Sequence, residues 1–172
     1  VDQIWEWLAN HHGSLTAVNA PHATHPEKFS YSELSQRISL AASAFAELGL
    51  KKGDVVSFFA ENSPRWLVAD QALMRLDVAN AVRGSSAPVE ELCYILKDSS
   101  SSALVIQNIE LLKKLELSES QISSLKFVLL LEGPGQKGIL EWDSFLSIGT
   151  NKLPIDSYMN REKDSAKLVQ LI

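Results

Sequence analysis

The chain has little of what would mark several classes of protein. Its 172 residues include a single cysteine, Cys93, which excludes an internal disulfide framework and is typical of a reducing compartment. The 16 basic residues are outnumbered by 21 acidic ones and form no basic stripe, so nucleic-acid binding is not expected. No apolar run approaches the roughly 18 to 20 residues that span a bilayer. The sequence therefore predicts no transmembrane segment.

The two ends of the chain also lack the usual signals. The first residues, VDQIWEWL, contain neither an initiator methionine nor the apolar core of a signal peptide. The last five, LVQLI, form an apolar run with no stop signal. We therefore expect a chain that is processed or cut at its front and incomplete at its end.

Four continuous apolar runs recur about every 24 residues, and apolar residues make up 45% of the chain. The runs are Val55 to Ala60, Val78 to Val82, Ala103 to Gln107 and Phe127 to Leu131. Continuous rather than alternating runs are typical of parallel strands that are covered on both faces. Helical patterns separate them, so the sequence predicts an α/β fold, a layered sheet with flanking helices.

The helix before the first run has clear start and stop signals. Ser30 and Glu33 have the spacing of a capping box, and Gly49 provides the left-handed cap at the end. The residues spaced for one buried face are Leu34, Ile38, Ala41, Phe45 and Leu48.

Two further helices are expected between the runs. Ser63 can cap the first, with Pro64 at its first position, and its predicted buried face is Trp66, Ala69, Leu73 and Leu76. Pro88 starts the second, with Glu90 and Glu91 in the first turn, where the helix dipole favours negative charge.

Gly133 to Gly138, GPGQKG, lies between the fourth run and a helical pattern at Leu140, Trp142, Phe145 and Leu146, which is the context of a phosphate-binding loop. However, no Ser or Thr follows Lys137, and Pro134 removes a backbone donor. We therefore predict a plain turn.

Arg83-Gly84-Ser85-Ser86 follows the second run at the edge where open α/β sheets bind ligands. Gly84 allows close approach and Arg83 could pair with an anion. The alternative is a turn that caps the following helix, and this is the reading the sequence favours.

The other candidates favour structural roles. His11, His12, His22 and His25 lack further ligands at zinc spacing and are predicted to be solvated loop residues. Cys93, near an apolar helix face, is predicted to be a buried core thiol. Trp5, Trp7 and Trp66 are predicted to be packing residues.

Four motifs point to a known superfamily. They are Tyr31-x-Glu33-Leu34, Gly49-x-x-x-Gly53-Asp54, Asn62-Ser63-Pro64-x-Trp66 and Glu90-Glu91-Leu92-x-Tyr94-Ile95-Leu96. Their order resembles the N-terminal subdomain of the adenylate-forming (AMP-binding) ligases: the acyl-CoA synthetases, acyl-ACP synthetases and luciferases. The resemblance covers roughly residues 4 to 169. Arg83 to Ser86, where most relatives carry a Pro-rich turn, is similar to plant and cyanobacterial long-chain fatty acyl-ACP synthetases, which are plastid enzymes in plants.

The resemblance implies a two-step activity for the full-length protein. A fatty acid carboxylate attacks ATP, with Mg²⁺ neutralising the phosphates, and the acyl group then passes to the thiol of acyl carrier protein (ACP) or CoA. The resemblance implies ATP and Mg²⁺ as cofactors. It implies a fatty acid and either ACP or CoA as partners, and the chloroplast as the location.

The end of the chain departs from the family pattern. Asp164, Ala166, Leu168 and Val169 match the lead-in to the family's phosphate loop, but Gln170-Leu171-Ile172 replaces its Tyr-Thr-Ser start. The magnesium glutamate, the adenine-binding segments and the C-terminal domain would lie beyond residue 172. The resemblance thus assigns no catalytic, cofactor-binding or metal-binding residue to this chain. Residues 1–172 are therefore expected to be a partial adenylation domain that lacks the C-terminal domain. We expect this chain alone to bind no ATP and to be inactive. An alternative exon, a truncated gene model or an engineered cut would explain the departure from the family pattern.

Two alternatives stay open at this point. The apolar end favours a non-enzymatic α/β interaction module or a truncated isoform that pairs with a full-length ligase, because an unpaired strand edge invites association. A receiver-like or flavodoxin-like domain is weaker, since it needs an acidic cluster or a phosphate loop at the strand ends.

Overall fold

A computed structural model describes residues 4–150 and 170–171 of the chain. The helices in these residues are α1 (Ile4–His12), α2 (Tyr31–Glu47), α3 (Pro64–Arg75), α4 (Val89–Asp98), α5 (Ile109–Lys114), α6 (Glu119–Ser124) and α7 (Trp142–Thr150). The strands are β1 (Thr16–Ala20), β2 (Glu27–Ser30), β3 (Val55–Phe59), β4 (Ala79–Arg83), β5 (Ala103–Ile106), β6 (Val128–Leu130), β7 (Leu140–Glu141) and β8 (Gln170–Leu171).

Six of the strands form one parallel sheet in the order β7-β6-β5-β3-β4-β8, and β1 and β2 form a separate antiparallel pair. The four predicted strands are β3, β4, β5 and β6, each within a residue or two of the expected limits. The predicted α/β layered sheet is thus confirmed. The edge strands β7 and β8 and the β1–β2 pair were not predicted, because two-residue strands and half-exposed ones carry no continuous apolar run.

The sheet separates two apolar clusters, since neighbouring residues of a strand point to opposite faces. In β3, Val56 and Phe58 pack with α2, α3 and α7, whereas Phe59 packs with α4 and α5. Leu104 and Val105 divide in the same way in β5. Coverage of both faces explains why the strand sequences are continuously apolar.

The predicted helix signals act as expected. Ser30 and Glu33 form both hydrogen bonds of the capping box at the start of α2. Ser63 accepts the backbone N–H of Trp66 at 3.1 Å, with Pro64 as the first residue of α3. Gly49, just past α2, has a φ of +88°, a conformation that residues with a Cβ adopt only under strain.

The buried face of α3 is wider than the periodicity predicted. Ala69, Leu73 and Leu76 are buried, but Trp66 is only half-buried, although it packs on Phe58. Further buried residues of α3 are Val68, Asp70, Ala72 and Arg75. The helix contacts both α2 and β4, so a single apolar stripe could not reveal its second buried side.

Helix α1 makes two polar contacts with α3. Trp5 Nε1 donates to Gln71 Oε1 at 2.7 Å, and Glu6 forms an ion pair with Arg75. Trp5 is a packing residue, as predicted. Trp7 is not, because it is 52% exposed and stacks on His11 at the surface.

The Gly49-Gly53-Asp54 motif closes the amino edge of the sheet. Asp54 Oδ2 accepts the backbone N–H of Lys51 at 2.9 Å and an ammonium hydrogen of Lys126. Burial of Asp54 by itself would raise its pKa, but these hydrogen bonds outweigh it and the pKa is lowered. This family motif is therefore structural, and it lies at the edge opposite the expected ligand site.

Strand β8 runs parallel to β4, with Gln170 beside Asn80 and Leu171 beside Ala81. The predicted lead-in residues Asp164, Ala166, Leu168 and Val169 lie outside the described residues.

Within residues 4–150 and 170–171, no helix is long and apolar enough to span a membrane.

Candidate functional site at the carboxyl edge of the sheet

The carboxyl ends of β3, β4, β5 and β6 meet along one edge because these strands are parallel. Gln107, just past β5, joins the neighbouring chain segments there. Its backbone N–H donates to the carbonyl of Phe59 at 2.8 Å, and its Oε1 accepts the backbone N–H of Glu61 at 2.9 Å. The N–H of Glu132 donates to the carbonyl of Gln107 at 2.8 Å. Gln107 thus sets the spacing of three segments at the edge where such sheets bind ligands.

The carboxylate of Glu61 lies against the Arg83–Ser86 loop. Its Oε1 accepts hydrogen bonds from Ser85 Oγ at 2.9 Å and from the backbone N–H of Ser86 at 3.3 Å. A Cβ on Gly84 would lie 3.1 Å from the same oxygen. The hydrogen bond from Ser85 is the main cause that lowers the pKa of Glu61. The small-residue loop therefore holds an anionic group that belongs to the chain itself.

Arg83 is also paired within the chain. Its Nε donates to Glu91 Oε1 at 2.7 Å and its Nη2 to Glu91 Oε2 at 3.3 Å, a two-point contact. The hydrogen bond to Glu91 raises the pKa of Arg83. The anion that Arg83 pairs with is thus a carboxylate of the next helix, α4.

The favoured alternative was a turn that caps α4. Ser85 and Ser86 do form a turn, but the prediction that this turn caps α4 is wrong. The N-cap residue of α4 is Pro88, with no side-chain cap hydrogen bond. Ser85 and Ser86 instead bind the carboxylate of Glu61, which enters from the end of β3. A cap can be read from local spacing, whereas a contact between residues about 25 positions apart cannot.

The glycine loop from Gly133 to Gly138 is a turn, as predicted. It connects β6 to β7 through an isolated bridge between Gln136 and Ile139. The backbone N–H of Gly135 donates to Glu141 Oε2 at 2.9 Å. That donor is therefore occupied by a carboxylate of the next strand. Helix α7 begins at Trp142, so Leu140 belongs to β7 rather than to the predicted helix.

The four histidines are all exposed. His22 and His25 lie in the loop between β1 and β2, as predicted, but His11 and His12 form the last turn of α1 rather than a loop. Among the described residues, no three His, Cys, Asp or Glu side chains come together as a metal site would require.

Cys93 is half-buried rather than fully buried. Its side chain packs against the cluster under α4, and its Sγ donates to the carbonyl of Leu115 at 3.6 Å. Burial, and then the nearby charge of Glu90, raise the pKa of this thiol, the opposite of what a nucleophile needs. Cys93 is thus a packing residue, as predicted, but it is less buried than the predicted core thiol.

Glu61 and Gln107 are the residues of this edge whose roles the sequence left unassigned. Each follows directly after a predicted apolar run or ends it, so polar residues at the ends of parallel strands were the available signal. The residues that Glu61 and Gln107 contact could not be inferred, because those contacts depend on the order of the strands in the sheet.

Comparison with curated proteins gives close relatives for most of the chain. It is 36% identical over 158 residues to a chloroplastic long-chain-fatty-acid–[acyl-carrier-protein] ligase of Arabidopsis thaliana, an alignment that covers 92% of this chain and 21% of the relative. It is also 36% identical over 163 residues to "Probable acyl-activating enzyme 16, chloroplastic" of the same plant, over 95% of this chain and 22% of the relative. The chain thus spans about a fifth of the length of these two relatives.

The fold matches that of a solved ligase. The crystal structure of the anthranilate CoA ligase AuaEII with anthranoyl-AMP superposes with a TM-score of 0.75 at 18% identity, over 85% of this chain and 27% of that one. At this identity the likeness establishes the fold alone. The family model described as "AMP-binding enzyme" matches residues 5–164. Its motifs, its fold and this match agree that the chain belongs to the AMP-binding enzyme family of adenylate-forming ligases.

Proposed function

We propose that this chain is the N-terminal part of an ATP-dependent long-chain fatty acid ligase. The complete protein makes an acyl-adenylate and then an acyl thioester on ACP, with CoA as the alternative acceptor. The observation that carries the proposal is the 36% identity to a fatty acid–ACP ligase over 92% of this chain. The Arg83-Gly84-Ser85-Ser86 loop, similar to that subgroup, supports the same assignment.

The part of the protein described here acts as scaffold in this proposal. It supplies the parallel sheet and, at its carboxyl edge, the polar network of Glu61, Ser85, Ser86 and Gln107. ATP and Mg²⁺ belong to the complete family member. Among the described residues no three His, Cys, Asp or Glu side chains come together, and the nearest glycine loop uses a donor on Glu141. We assign no chemical step to these residues.

The assay is pyrophosphate release from ATP with a long-chain fatty acid such as palmitate. We expect release by the complete protein that carries this chain and none by residues 1–172 alone. Release by the isolated chain would overturn its scaffold role. A complete protein that binds palmitate but releases no pyrophosphate would overturn the proposed activity.

Two finer points need separate measurements. Acceptor choice is measured as kcat/KM with ACP and with CoA, and we expect ACP to be preferred. Location is measured by imaging a fluorescent fusion of the complete precursor, and we expect the chloroplast because both Arabidopsis relatives carry that designation. The competing hypothesis of an interaction module predicts instead that residues 1–172 dimerise or bind a full-length ligase, which light scattering would detect.

A further inference from the structure

We propose that Glu61 is a positioning residue that holds the Arg83–Ser86 loop in place at the ligand edge of the complete ligase. The inference rests on the proposed function, because it assigns a consequence for substrate binding.

The contact joins two strand ends at the edge that matters. Glu61 lies two residues past the end of β3, and the Arg83–Ser86 loop begins at the last residue of β4. The backbones are already joined there, since the N–H of Ala60 donates to the carbonyl of Arg83 at 3.2 Å. The carboxylate of Glu61 extends this pairing beyond the strands, to Ser85 and Ser86.

The loop is held from two sides. Glu61 binds Ser85 and Ser86 from the β3 side, and Glu91 binds Arg83 from α4. Within the loop, the N–H of Ala87 donates to the carbonyl of Gly84 at 3.2 Å. Gly84 is what allows the carboxylate to approach, because a Cβ there would lie 3.1 Å from Glu61 Oε1 and force it to shift.

Glu61 and the two serines lie at the surface or near it, so this contact adds little to folding stability. Exposed polar contacts of this kind seldom change stability measurably. A carboxylate held by two donors at the edge where such sheets bind ligands therefore serves the position of the loop more than the stability of the fold. Strand β8 pairs with Asn80 and Ala81 of β4, the strand that leads into the loop.

The test uses the complete ligase and four variants. Glu61→Ala removes the carboxylate, and Gly84→Ala displaces it through a different residue. Glu61→Gln keeps an oxygen that can accept from Ser85 and Ser86. Glu110→Ala, at an exposed glutamate in the first turn of α5, is the matched control.

For Glu61→Ala and Gly84→Ala we expect the KM of at least one substrate (ATP, fatty acid or acyl acceptor) to rise about fivefold or more, the loss of roughly one hydrogen bond. The kcat and the melting temperature should change little, and Glu61→Gln and the control should resemble the wild type. Unchanged KM values for all three substrates in Glu61→Ala would overturn the proposal. So would a fall in melting temperature that accounts for the loss, or a Glu61→Gln variant as impaired as Glu61→Ala.

A second readout does not depend on activity. We expect hydrogen exchange at the backbone amides of Ser86 and Ala87 to be faster in Glu61→Ala than in the wild type or Glu110→Ala. Unchanged exchange would overturn the positioning role even if the protein proved not to be a fatty acid ligase. If exchange is faster in Glu61→Ala but the wild-type protein forms no acyl-adenylate, the proposed function is overturned. The role of Glu61 in holding the loop is then still supported.

Discussion

Gly149 marks a point where two helices touch through their backbones. A Cβ at this position of α7 would lie 2.1 Å from the carbonyl oxygen of Leu40 in α2, so the helices would have to separate. We expect Gly149→Ala to lower the free energy of unfolding by about 1 to 3 kcal/mol, the usual cost of overpacking a close contact. Urea denaturation measures it, with exposed Thr150→Ala on the same helix as control. Equal stability of the two variants would contradict this close approach.

Asp70 is a buried acid held by amides. Its Oδ1 accepts from Asn80 Nδ2 and its Oδ2 from Gln71 Nε2, both at 2.8 Å. Burial raises its pKa, and the two hydrogen bonds oppose that rise without cancelling it. Because the folded state holds this proton more tightly than the unfolded state, the contribution of Asp70 is most favourable below the unfolded pKa. It is lost as pH rises through the folded value.

We therefore expect Asp70→Asn to gain stability relative to the wild type as pH rises from about 4, the unfolded pKa of an aspartate, towards 7. Asn80 can rotate its amide to accept from the new Asn side chain, since its Oδ1 has no partner among the described residues. Denaturation curves of both proteins at several pH values provide the measurement. A variant that is destabilised at pH 7 but not at pH 4 would show that the ionised carboxylate is favourable, contrary to this prediction.

At the scale of elements, local signals determine where a helix starts and long-range contacts determine where it lies. The start of α3 depends on Ser63, whose Oγ accepts the N–H of Trp66. The position of α3 depends on contacts to distant segments. Arg65 Nη1 donates to the carbonyl of Leu131 at 2.7 Å, and its Nε lies 3.7 Å from Glu27 Oε1. One arginine thus connects α3 to the end of β6 and to β2.

Replacement of the cap tests the local signal. We expect Ser63→Ala to cost about 1 kcal/mol of unfolding free energy, because one of the first N–H groups of α3 loses its acceptor. The same denaturation assay measures this, with Ser14→Ala in the exposed turn after α1 as control. A Ser63→Thr variant should recover most of the loss, since threonine is also a cap residue. If Ser63→Ala matched the wild type, the cap would contribute nothing.

At the scale of the whole molecule, the two apolar clusters share the strands that separate them. Trp142 and half-buried Trp66 belong to the cluster under α2, α3 and α7, whereas Leu92 of α4 is fully buried in the other cluster. No tryptophan is among the described members of that second cluster. Tryptophan fluorescence therefore reports unfolding on one side of the sheet only.

We expect Leu92→Ala to lower the free energy of unfolding by about 2 to 5 kcal/mol, as for other buried leucines. Tryptophan fluorescence and circular dichroism should report the same lowered midpoint, since the clusters share β3, β5 and β6. Tyr94→Ala, on the same helix but 65% exposed, should leave the midpoint nearly unchanged. An unchanged fluorescence midpoint with a shifted circular dichroism signal would show that the two sides unfold separately.

Much of the fold was predictable because its signals are local or periodic. The continuous runs at Val55 and Ala103 predicted buried parallel strands, and Ser30 with Glu33 predicted the start of α2. Four spaced motifs predicted the superfamily. Exposure was less predictable: Trp7 has the side chain of a packing residue, but α1 places it towards solvent, 52% exposed.

By itself, the sequence determined the four central strands β3 to β6, the caps that start α2 and α3, and the family. Each of these depends on residues within a few positions of one another or on fixed spacings along the chain. Only the tertiary structure decided that Glu61 fills the Arg83–Ser86 loop, that Gln107 joins β5 to the ends of β3 and β6, and that α3 is buried on two sides. These outcomes depend on strand order and on how the layers stack, which bring together residues tens of positions apart.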